Sequence, residues 1–130
     1  MSFTVDIQKH KLGGYIVKLA GHLDAVTHIE FEETITPYLQ ERPFVVVLDM
    51  TELNYVSSAG FRVIYKTWKI VGKYNGKFLM AHVNPQIKTV MDTIKALPGE
   101  QVFTSMEKVD EYLQGKKDNK PNTQQLPGEL

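Results

Sequence analysis

Phe44-Val45-Val46-Val47-Leu48 is the stretch that most limits what this chain of 130 residues can fold into. Five consecutive apolar residues leave no polar face, and three of them are β-branched. The run therefore reads as a central strand covered on both sides. Such a strand needs a packed layer on each face of its sheet, and the sequence supplies one soon afterwards. Phe61, Ile64, Trp68 and Val71 recur three and four positions apart, which is one face of a helix from about Ser58 to Tyr74. Asn75-Gly76 ends that helix. Asp49 closes the strand, and Met50 to Val56 read as the loop between the two.

The same reasoning extends outward. Phe3, Val5 and Ile7 alternate with polar residues, the period of a half-buried strand. Gly13-Gly14 makes a turn into a second strand over Tyr15 to Ala20, so the two form a hairpin. Gly21-His22-Leu23-Asp24 breaks that strand. Phe31, Ile35 and Leu39 mark a helix from about Thr27 to Gln40, with Pro37 inside it predicting a kink or an early end. Lys77 to Ala81 reads as a strand. Asn84-Pro85 opens a helix with Ile87, Val90, Met91, Ile94 and Leu97 on its buried face, and Leu97-Pro98-Gly99 stops it. Val102-Phe103 is a short edge strand, and Ser105 to Leu113 a last helix. The fold class is α/β: a single mixed β-sheet of four to five strands with helices packed on it. Residues 1–114 form the domain. Residues 115–130, rich in lysine, asparagine, glutamine and proline, have too little apolar surface to offset ordering and read as a flexible C-terminal tail.

Charge and composition remove several functions. Fifteen basic residues balance fifteen acidic ones, so the basic excess of a nucleic-acid binder is missing. No cysteine is present, which excludes disulfides, thiolate metal sites and cysteine nucleophiles. The first eleven residues do not form a signal peptide and no stretch approaches a membrane span, so the expected compartment is the cytoplasm, with no membrane partner. His10, His22, His28 and His82 are scattered and lack the spacing of a helical metal site. There is no P-loop, no Gly-x-Gly-x-x-Gly and no Gly-x-Ser-x-Gly elbow. No metal, no cofactor and no catalytic residue is expected.

What remains is Ser57-Ser58-Ala59-Gly60 at the start of a helix. A serine there caps the helix, which by itself accounts for one of the two at about 1 kcal/mol. Three points favour a binding role. Ala59 and Gly60 are small enough to let a partner's backbone approach. The helix N-terminus offers free N–H groups and partial positive charge, which tolerate a phosphate. In open α/β sheets, ligands bind in the crevice beyond the strand ends. Elsewhere the plainer reading holds. Asp24 reads as satisfying turn or helix N–H groups, with contact to a partner as the other reading. Glu30, Glu32 and Glu33, and likewise Lys66, Lys69 and Lys73, read as solvated helix faces. Trp68 belongs to the core.

From about Phe3 to Leu113 the chain resembles the STAS domain family, which includes bacterial anti-sigma factor antagonists. Leu19-Ala20-Gly21-His22-Leu23-Asp24 is similar to the family's Gly-x-Leu-Asp turn before the first helix. Val45-Val46-Val47-Leu48-Asp49, followed nine residues later by Ser58-Ala59-Gly60-Phe61-Arg62-Val63-Ile64, is similar to its strand, loop and phosphoacceptor helix. The resemblance implies a binding module that is not an enzyme. It implies phosphorylation of Ser58, with Ser57 as second choice, by a partner that is both anti-sigma factor and serine kinase. The unphosphorylated form binds that partner and frees the sigma factor, and a phosphoserine phosphatase resets the switch. Asp24, Ser57, Ser58, Ala59, Gly60 and Arg62 are the implied partner-binding residues. The chain departs from the pattern at Ser57, where many members have aspartate. The alternative is a STAS adaptor or scaffold in another signalling or transport assembly.

Overall fold

Thr4–Lys9 forms β1 and Gly14–Leu23 forms β2, paired antiparallel from Thr4 opposite Ala20 to Lys9 opposite Tyr15. These and all later elements come from a computed structural model, which describes residues 3–11, 13–94 and 102–119. The hairpin closes where Gly13 and Gly14 take φ of 96° and 122°. Gly14 has a second reason to be glycine, because a Cβ there would lie 2.0 Å from the Val45 carbonyl oxygen.

After the hairpin come α1 (His28–Leu39), β3 (Val45–Val56), α2 (Ser58–Lys73), β4 (Lys77–Ala81), α3 (Pro85–Ile94), β5 (Val102–Phe103) and α4 (Met106–Asn119). The strands form one sheet in the order β1-β2-β3-β4-β5, with β2 to β5 parallel. This is the mixed sheet that the sequence predicts. Each right-handed crossover steps the same way across the sheet, so α1, α2 and α3 collect on one face. Their Phe31, Ile35, Phe61, Ile64, Ile87 and Met91 pack there against Val46, Leu48 and Met50 of β3. The other face belongs to α4, whose Val109 and Leu113 cover Val45, Val47, Leu79 and Ala81. Buried His10 shares a 2.9 Å hydrogen bond with Asp110 and ties α4 to the hairpin.

Several boundaries differ from those expected. Phe44 lies outside β3 and is 49% exposed, so the covered run begins at Val45. The loop expected over Met50 to Val56 is instead the second half of β3, and β2 runs on through Gly21-His22-Leu23. The buried residues Met50, Leu53 and Val56 are three apart, so alternation is lost in the sequence. Two register shifts between β2 and β3 absorb the extra residues, and Gly21, at φ 98°, supplies the backbone such an irregularity needs. α1 passes Pro37 and stops at Leu39. Asn84 caps α3 by accepting from the Ile87 N–H at 2.9 Å. Ile87 and Met91 are buried as expected. The side chains of Val90 and Ile94, and the stop at Leu97-Pro98-Gly99, lie outside the described residues. α4 continues to Asn119, past the domain boundary expected at residue 114. Residues 120–130 of the expected tail lie outside the described residues.

Candidate functional site: the start of the second helix

The long β2–β3 pair delivers two chain segments to one point. Where β2 ends, the Leu23 carbonyl accepts from the Ser57 N–H at 2.8 Å. Ser57 is extended, with φ −86° and ψ 174°, and its Oγ accepts from the Gly60 N–H at 3.2 Å. It is therefore the N-cap of α2, and Ser58 is the first helical residue, exposed to solvent. The two serines have separate positions: Ser57 holds the helix and Ser58 faces outward. Ser57→Ala should cost about 1 kcal/mol, the usual loss for a removed N-cap. Urea unfolding should show it as a lower midpoint with an unchanged slope.

Gly60 is packed within the chain. It is buried, and a Cβ there would lie 2.8 Å from both Cγ and the carbonyl oxygen of Leu23 and 3.1 Å from Val56 Cγ1. Its smallness lets α2 seat on the ends of β2 and β3, a packing reason for glycine within the chain itself. Ala59 is half-buried, and Arg62 is exposed one turn beyond Ser58. Among the described residues, the strand order also provides no switch-point crevice. A crevice opens where neighbouring crossovers leave on opposite faces of the sheet, and this strand order is sequential from β2 to β5. Ser58 stands exposed at the start of α2.

Asp24 follows Leu23. Its Oδ1 accepts from the backbone N–H groups of Val26 at 2.9 Å and Thr27 at 3.0 Å. The Thr27 bond first, then the Val26 bond, holds its carboxyl below the usual range. A depressed carboxylate stabilises the fold above its unfolded pKa, and that contribution fades as pH falls through the folded one. This turn role accounts for Asp24 locally.

The structure also adds residues that the sequence analysis passed over. Val26 is 78% exposed, Ile29 53%, Tyr55 50% and Tyr65 40%. Val26 and Ile29 flank the start of α1, which runs parallel to α2 because both follow parallel strands. The ion pair between Glu32 and Lys66 joins the two helices one turn further along. Tyr55 stacks edge-on against His22, its partner across β2 and β3, at 5.8 Å. The signal was present in the sequence: Ile29 and Tyr65 are large apolar residues off the buried stripes of their helices. Trp68 is half-buried against the core beside Tyr65, and Lys69 lies over the Tyr65 ring. Among the described residues, no group of three or more metal-ligating side chains is placed to hold a metal ion.

Comparison with known proteins adds the following. The family model for the STAS domain matches residues 5–109. An anti-sigma F factor antagonist of Paenibacillus polymyxa is 27% identical over 93 residues, covering 71% of this chain and 79% of its own. The phosphorylated form of the Bacillus cell fate determinant SpoIIAA superposes with TM-score 0.66 at 13% identity, over 86% of this chain and 99% of its own. A sulfate transporter family protein from Wolinella succinogenes superposes with TM-score 0.68 at 18% identity, over 80% and 87%. At these identities the solved structures speak for the fold.

Proposed function

The chain belongs to the STAS domain family, and on that premise we propose that it is a bacterial anti-sigma factor antagonist switched by phosphorylation of Ser58. Unphosphorylated, it binds an anti-sigma factor that is also a serine kinase, and the sigma factor is released. Phosphorylated, it lets go, and a phosphoserine phosphatase returns it to the binding state. It acts in the cytoplasm by binding and not by catalysis. The observation that carries this reading is the division of labour between the two serines. Ser57 caps α2, which leaves the Ser58 hydroxyl exposed at a helix start where a phosphate is electrostatically tolerated. The antagonist from Paenibacillus polymyxa supports it. The exposed Val26, Ile29, Tyr55 and Tyr65 supply the apolar part of the docking surface in this reading, and Ser58 and Arg62 its polar part.

The Wolinella sulfate transporter family structure is compatible with a second reading, an adaptor or scaffold in another assembly. Among the described residues, no helix is long and apolar enough to cross a membrane. An adaptor has no use for a hydroxyl at position 58, so phosphosite mapping separates the two. The chain is incubated with ATP and the kinase fraction of its own host. Parent and Ser57→Ala should be labelled to similar stoichiometry and Ser58→Ala only to background. Full labelling of Ser58→Ala, or no labelling of the parent, rejects the switch.

A further inference from the structure

Resting on Ser58 as the phosphoacceptor, we propose that Arg62 is the intramolecular receptor of that phosphate and alternates between it and the partner. Both side chains are exposed, and they stand four residues apart on α2, one turn along the same face. Helical side chains lean toward the N-terminus, so Arg62 reaches back over the turn that carries Ser58. Arg62 has no ion pair among the described residues, while Lys66 on the next turn is engaged by Glu32. The backbone adds donors. The Ser57 Oγ and carbonyl take the Gly60 and Phe61 N–H groups. The Ser58 and Ala59 N–H groups are left free of backbone acceptors in the first turn, as in any helix. A phosphate on Ser58 brings three acceptor oxygens to these two N–H groups and to the planar fork of Arg62.

The pairing has a consequence for the switch. In the unmodified protein Arg62 is free to meet an acidic group of the partner. After modification it is drawn back onto the phosphate, so one event adds negative charge to the surface and withdraws its nearest cation.

The test needs no kinase, so its outcome is independent of the labelling experiment. Phosphoserine is incorporated at position 58 during synthesis in the parent, Arg62→Ala and Arg62→Lys chains, and the phosphate is titrated by 31P NMR. Its second ionisation should come roughly half a pH unit lower in the parent than in Arg62→Ala, the size of a one-turn, charge-assisted pair. Arg62→Lys should fall between them, because an ammonium keeps the charge but loses the fork. The difference should shrink in 1 M salt, where the screening length is about 3 Å. Unmodified Arg62→Ala should melt with the parent, since the residue is exposed and unpaired. Superimposable titrations of the parent and Arg62→Ala overturn the proposal.

Discussion

Val47→Asp should abolish cooperative folding of this chain near neutral pH. Val47 has no exposed surface; it lies between Ile16 on β2 and Leu79 on β4, in the cluster covered by Val109 and Leu113 of α4. Replacing it forfeits roughly 1.5–3 kcal/mol of apolar burial. The new carboxylate adds several kcal/mol more, because its buried neighbours Val45, Leu79, Ala81, Val109 and Leu113 are all apolar. Asp49, on the same face two residues on, shows what the site demands of an acid. It is nearly buried, and its Oδ1 accepts from both the N–H and the hydroxyl of Thr51, at 3.1 and 2.6 Å. A second carboxylate beside it finds neither donor and meets a like charge. The sum is comparable with the total stability of a domain this size, about 5–15 kcal/mol. Burial raises the carboxyl's folded pKa, so the variant should regain structure as pH falls and its neutral form becomes available. Val47→Ala, which loses only the burial, should stay folded with a lowered midpoint. Thermal unfolding by circular dichroism decides: a Val47→Asp melt within a few degrees of the parent refutes the placement of Val47 in the core.

The elements that were legible in the sequence are those whose burial follows one simple period. α2 has a stripe at three and four, and the first half of β3 is apolar throughout. The second half of β3 was not legible, because Met50, Leu53 and Val56 follow neither period once the register with β2 shifts twice. Pairing across strands creates that pattern, and it is invisible along one strand. Phe44 misled in the opposite direction: it continues the apolar run in sequence but sits before the strand and half in solvent. At the far end, Gly115 and the polar residues after it suggested a stop. One glycine costs only about 1 kcal/mol in a helix, and the lysines that follow suit a helix C-terminus, so α4 runs on to Asn119.

The site was legible in position and only partly in assignment. Two serines before an amphipathic helix mark its start, yet which one caps depends on backbone angles: extended at Ser57, helical from Ser58. Gly60 reads equally well as room for a partner or room for Leu23, and only the packing decides for Leu23. Val26 and Ile29 stayed unnoticed because exposed apolar residues are ordinary taken singly. They gain meaning from standing exposed together at the start of α1, the helix that the Glu32–Lys66 ion pair joins to α2.

Ser58→Asp should fold like the parent and bind the anti-sigma partner at least 100-fold more weakly. Two effects compete. In the free protein the carboxylate sits in water at the positive end of α2, where the helix dipole favours it by roughly 0.3–1 kcal/mol. Arg62 one turn on adds a further few tenths. Neither disturbs the core, so the melting temperature should hold or rise slightly. In the proposed complex the same carboxylate would have to shed water against a partner surface fitted to a hydroxyl. A buried, poorly matched charge costs about 2–5 kcal/mol at an interface, and about 2.7 kcal/mol already means a factor of 100. The favourable contacts of the free state lower affinity further, because binding has to break them. Ser58→Ala is the counterpart. It loses at most one hydrogen bond, about 0.5–1.5 kcal/mol, and should bind within roughly tenfold of the parent. Calorimetric titration of the three chains against the partner reads both numbers. If Ser58→Asp binds as tightly as Ser58→Ala, charge at this position does not control the interface and the switch lies elsewhere.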